Sequence, residues 1–245
     1  MARIGKKGIL SGLVGNLVFR NLDGKQIVQS RPDGVRQTAN TKASSGEFRQ
    51  CSTWAKQLRM GLRSFLSEET DSYMYRRFTG AFYQALLQNK NFLKGTRTPF
   101  NCDLSALHGF EFNIHSPFKN HFLPPIAVQL NSDGNLRVSI PEFEPKNEMY
   151  FNRKHFNAEL MLYVYTTTFT YNQPVIDATF SLSIANNYSS VAATDWMSPV
   201  LPSGRFVLVV AKLFYYSNNP FTVKKYCNSK EMSPAMVVFS GVVSL

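Results

Sequence analysis

The chain reads as an α+β protein: an N-terminal β-hairpin and an antiparallel helix pair, followed by an antiparallel β-sandwich of the immunoglobulin or fibronectin kind. Three observations predict this. Apolar residues recur every three or four positions from Phe48 to Phe65, the repeat of one buried helical face. From residue 126 the repeat becomes two, with Ile126, Val128 and Leu130, then Leu136, Val138 and Ile140, around an Asp133-Gly134 turn. Phe and Tyr number 20 and 11 against two Trp, and with the Val, Ile and Thr of the second half they favour strands. The expected divisions are 1–43, a basic hairpin and arm; 44–97, a helical hairpin; and 98–245, the sandwich.

The hairpin comes first. Strands are expected near 13–20 and 25–30, meeting at Asn21-Leu22-Asp23-Gly24, where Asp-Gly supplies a tight reversal. An isolated two-stranded ribbon is barely stable in water, so it has to pack on something. The polar stretch "SRPDGVRQTANTKASSG" then reads as an extended arm. Ser44 with Glu47 makes a capping box that starts the first helix. Phe48, Cys51, Ala55, Leu58, Leu62 and Phe65 point inward, while Arg49, Lys56 and Arg63, seven apart, form a basic stripe with Arg59. A second helix is expected from about 69 to 89, with Tyr75, Phe78, Phe82 and Leu86 inward and Arg76 and Arg77 outward. Beyond it lie six or seven strands, among them "AELMLYVYTTTFTY", "RFVLVVAKLFYY" and "AMVVFSGVVSL".

Charge is unevenly placed along the chain. Residues 1–97 carry 17 Lys and Arg against 6 Asp and Glu, and residues 98–245 carry 10 of each, so the whole net charge of +11 sits in the first part. That imbalance points to a contact surface for something anionic. Its residues are Arg3, Lys6, Lys7, Arg20, Lys25, Arg31, Arg36, Arg49, Lys56, Arg59 and Arg63, with Lys42 between them. Aromatic residues nearby are few (Phe19, Phe48 and Trp54), which argues against stacking on single-stranded bases.

Enzyme signatures are missing from the sequence. "GILSGLVG" is neither a phosphate loop nor a dinucleotide turn, and no GxSxG, HExxH or SxxK pattern occurs. His108, His115, His121 and His155 lack the converging donors that a metal requires. Glu142, Glu144 and Glu148 sit on a Pro-flanked loop and read as solvated. Cys51, Cys102 and Cys227 are odd in number without a CxxC pair, so neither a disulfide framework nor zinc is expected. No run approaches the roughly 18 apolar residues of a membrane span, and "FVLVVAKLF" is interrupted by Lys212. The start imitates a secretion signal, but glycines and Asn16 weaken its apolar part and no small-x-small site follows. A cytoplasmic protein or a virion-like assembly is the expected setting.

The opening "MARIGKKGILSGLVGNLVFRNLDGKQIVQSRP", with "VRQTANTKASSGEFRQCSTWAKQLR" after it, resembles the start of a widespread uncharacterised family from Bacteroidota. Its members begin with a G-x-x-x-G-x-x-G segment, here Gly8, Gly12 and Gly15. They continue with a hairpin ending in a basic-Pro step, here Arg31-Pro32, and a Thr-rich turn, here Thr38 and Thr41. A helix and a β-sandwich follow. The family's usual Asn-Pro-Arg-Thr turn is replaced by "QTANTKASSGEF". The resemblance implies this layout and a bacterial source, and no reaction.

Together these readings predict a non-enzymatic structural or assembly protein that docks through its basic hairpin and helix pair, without a cofactor. The partner would be another protein or a second copy. The alternative is a sequence-indifferent nucleic-acid-binding protein using the same cations against phosphates.

Overall fold

A computed structural model of the chain describes residues 2–5, 8–22, 25–31, 34, 37–67, 69–151, 156–170, 177–219 and 222–243. It divides into two units, Met1–Lys42 and Ala43–Leu245. The α+β class holds, with all three sheets antiparallel.

The first unit carries a four-stranded meander of β1 (Arg3–Ile4), β2 (Leu10–Val14), β3 (Leu17–Leu22) and β4 (Lys25–Ser30), adjacent in sequence order. The expected hairpin is β3 and β4, in register from Leu17↔Ser30 to Leu22↔Lys25. Its Asp23-Gly24 tip lies outside the described residues. The single strand expected near 13–20 is two strands. Gly15, at a φ of 56°, reverses the chain with Asn16, the placement of glycine that two-residue hairpin turns favour.

The long helix α1 (Ala39–Leu66) starts five residues before the expected Ser44. Thr38 does the capping, its hydroxyl accepting the Thr41 N–H at 3.2 Å. Glu47 is therefore free for another task. It is 2% exposed and pairs with the buried Arg97 at 3.0 Å, clamping α1 to the loop after the second helix. Ser67 stops α1 in the left-handed region, at a φ of 59°, a position usually left to glycine. The buried stripe is Cys51, Ala55, Leu58, Leu62 and Leu66. Phe48, expected inside, is 47% exposed and packs edge-on against Tyr83. In α2 (Met74–Gln88), Phe78, Phe82, Ala85 and Leu86 are buried. Tyr75, expected inward, is exposed. Arg77, expected outward, turns in to bond Asp71 and the Glu111 carbonyl.

The second unit's five-stranded sheet comprises β7 (Asn157–Thr167), β8 (Asp177–Ile184), β10 (Phe206–Asn219), β11 (Thr222–Tyr226) and β12 (Ala235–Val242). β10 pairs with β7 along one edge, while β12 and then β11 share its other edge. A three-stranded sheet of β5 (Ala127–Leu130), β6 (Leu136–Ile140) and β9 (Thr194–Met197) includes the expected Asp133-Gly134 hairpin. Val207, Val209, Ala211, Leu213 and Tyr215 of β10 join a core with that small sheet. Phe206, Leu208 and Val210 join a second core with α1 and α2. The helices expected as a separate hairpin over 44–97 thus form a third layer on the sandwich sheet.

Lys212 interrupts the helix-facing row of β10. It has no exposed surface, and its ammonium donates to the Phe65 and Leu66 carbonyls (3.3 and 3.0 Å) and to Glu69 (3.1 Å), 4.5 Å over the Phe214 ring. The orphan carbonyls at the end of α1 are thereby satisfied from the sheet. One turn earlier, Gly61 lets α1 lie against Tyr165, where a Cβ would come within 2.2 Å of the ring.

Two stability predictions follow from this layer, both readable by urea denaturation. Gly61→Ala costs about 1–3 kcal/mol through overpacking, whereas Gly80→Ala, with nothing within 4 Å of its added Cβ, gains up to about 1 kcal/mol of helix propensity. Lys212→Met leaves Glu69 without its counter-ion and removes the donor to two carbonyls, and costs about 3 kcal/mol.

Candidate functional site

Pairing across the N-terminal sheet sorts its side chains onto two faces. Val14, Leu17, Phe19 and Val28 share one face with Gly12, Asn21, Gln26 and Ser30, and none of these residues is charged. Leu13, Val18, Leu22 and Ile27 share the other with Arg20 and Lys25. No described residue from Ala2 to Lys42 is buried. Leu17 and Val28 are 45% and 50% exposed, Leu22 56%. Every residue of β4 is exposed, and among the described residues no strand pairs with its outer backbone edge. Among the described residues of this unit there is no ion pair.

The cations singled out in the sequence fall into three groups. Arg3, Arg20, Lys25 and Arg31 are exposed in or beside the sheet. Arg49, Lys56 and Arg63 are exposed along α1, while Arg59 is half-buried with its guanidinium 5.8 Å from the Tyr75 ring. Lys6, Lys7 and Arg36 lie outside the described residues. What the charge pattern did not reveal is the uncharged apolar face, which depends on the pairing register of β2, β3 and β4.

A different chemistry surrounds His121, which is 8% exposed. Tyr215 Oη donates to the Tyr150 carbonyl at 2.8 Å, so in its 2.9 Å contact with His121 Nδ1 it is the acceptor. Nδ1 then carries the proton, and Nε2 accepts from the Ser116 hydroxyl at 3.1 Å. A hydroxyl on a neutral imidazole is the pattern of an activated serine. Here the hydroxyl belongs to a residue only 1% exposed. His121 borders a cleft of about 540 Å³ with His115, Cys227, Ser229 and Glu231, and Ser116 is not among the residues that line it. The network therefore braces Tyr215 and presents no nucleophile. Burial lowers the pKa of His121 and raises that of Tyr215.

Other reactive groups are similarly engaged. Burial, and then the nearby Glu47, push the Cys51 thiol up to about 12, and burial also raises Cys102. Glu159 accepts from Lys224 at 3.1 Å and Tyr226 at 2.7 Å, as well as from Ser181. Burial alone would raise its pKa, but these bonds lower it. No group of three or more His, Cys, Asp or Glu among the described residues is arranged to hold a metal, and no described helix is long and apolar enough to cross a membrane.

The depressed His121 pKa fixes the sign of one pH effect. The unfolded chain takes up the proton near pH 6.5 while the fold resists it, so this histidine's contribution is present above that pH and is lost on acidification toward the folded value. Thermal unfolding between pH 8 and 5 should show stability falling below about pH 6.5, with a shallower fall in His121→Gln. No protein family, curated protein or solved structure matches the chain, so the function is argued from its geometry.

Proposed function

We propose that the protein is a non-enzymatic assembly subunit that docks through its N-terminal sheet, with the uncharged face of Val14, Leu17, Phe19 and Val28 packing against the same face of a second copy. The observation that supports this most is the absence of any buried residue among those described in that sheet. A sheet needs a covered apolar face to be stable, and a contiguous exposed one marks an interaction site. Self-pairing suits this face in particular. Arg20 and Lys25 lie on the opposite side, so two copies can meet without bringing those like charges together. The open β4 edge offers a second route for extending the contact, by strand addition.

The basic face favours a second reading. Arg20 and Lys25 on that face suit phosphate contacts without base recognition. The two faces let one set of variants separate the readings. Sizing of the full chain over a concentration series should show assembly that Phe19→Asp abolishes and Arg20→Glu leaves intact. A monomer at every concentration, or an assembling Phe19→Asp variant, overturns the docking proposal. In a salt series with duplex DNA, a slope that Arg20→Glu reduces by about one supports the second reading, and a slope near zero removes it.

A further inference from the structure

The turn between α1 and α2 leaves a cleft of about 340 Å³. Arg59 and Arg63 line it from α1, Lys230 from the loop between β11 and β12, and the hydroxyl residues Ser67, Thr70 and Ser72 from the turn itself. Arg59 is the informative member. Its Nε is buried and has no hydrogen-bond acceptor, although buried donors in native folds are almost always satisfied by protein, water or ligand.

Among the described residues, the neighbouring acids that could have answered this donor are committed elsewhere. Asp71 borders the cleft, but one carboxylate oxygen accepts from Arg77 and the other from the Tyr73 N–H at 3.0 Å. Glu69 accepts from Lys212 at 3.1 Å and from the Ser233 hydroxyl at 2.8 Å. Among the described residues no acid is thus left over for Arg59, and α2, starting at Met74 on the same wall, adds the positive end of its dipole.

We propose that this cleft binds the phosphate group of a small phosphomonoester. A forked guanidinium beside an ammonium and three hydroxyls offers more donors than a two-oxygen carboxylate can accept, and suits the several oxygens of a phosphate. The volume exceeds that of the bare ion, and Met60, Met74 and Tyr75 supply an apolar wall for the organic part. The site lies wholly within Ala43–Leu245 and does not depend on what the N-terminal sheet docks against.

The test uses the full chain with inorganic phosphate and phenyl phosphate as probes, at ionic strength held constant with chloride. Both should raise the unfolding temperature, and calorimetry should show phenyl phosphate binding more tightly. Arg59→Gln and Lys230→Gln should each weaken that binding about tenfold or more. Lys90→Gln, at an exposed position after α2 that does not line the cleft, should leave it unchanged. An oligonucleotide without a terminal phosphate should compete poorly. No phosphate-specific shift, an Arg59→Gln variant that binds like wild type, or an oligonucleotide that competes as well as phenyl phosphate would each overturn the assignment.

Discussion

A strand buried on both faces has to be covered twice, and β10 is such a strand. From Phe206 to Leu213 none of its side chains retains exposed surface. The small sheet covers one face, and α1 with α2 the other. Lys212 belongs to the row that faces the helices, so its ammonium must find acceptors within that layer. It finds them at the end of α1 and at Glu69. That demand fixes where α1 stops on the sheet. The close passage of Gly61 over Tyr165, the left-handed Ser67 and the turn that opens the Arg59 cleft all lie within the same stretch of chain.

The parts of this arrangement that were legible in the sequence are those governed by local periodicity. The stripe from Cys51 to Leu62, the Asp133-Gly134 hairpin and the β3–β4 pairing follow from repeats of 3.6 and 2. What escaped depends on partners distant in sequence. Glu47 looked like the second half of a capping box because nothing in its neighbourhood reveals Arg97, fifty residues on. Phe48 and Tyr75 fit the apolar repeat, yet they fall at the margin of the layer, where no second element covers them. The opening strand was misread for a local reason. Gly15-Asn16 is itself a turn signal, and the surrounding run of apolar residues obscured it. In the sequence Lys212 reads as an interruption of an apolar run, although an interruption within a fully buried strand implies a waiting set of acceptors.

The candidate site was legible as a concentration of charge but not as a surface. Counting cations identified Arg20 and Lys25 but could not show that β3 and β4 place them on one side and leave the other uncharged. That separation matters because a face carrying both cations and apolar groups would repel its own copy. In this sheet only the face of Arg20 and Lys25 is of that mixed kind, and the opposite face offers an uncharged apolar contact.

The same bookkeeping explains why the excess charge remains available at all. In Ala43–Leu245 five acids are held in ion pairs among the described residues: Glu47 by Arg97, Asp71 by Arg77, Glu69 by Lys212, Glu159 by Lys224 and Asp195 by Arg137. Four of these pairs tie one part of the layered fold to another, and their carboxylates cannot turn toward Arg59 without breaking them. A cation left without an internal acid attracts anions from solution, an attraction that salt weakens where the charge is exposed and weakens far less where it is sheltered. Arg20 on the open sheet is of the first kind and the half-buried Arg59 of the second. If both meet phosphate, added salt should therefore loosen contact at the sheet well before it empties the cleft.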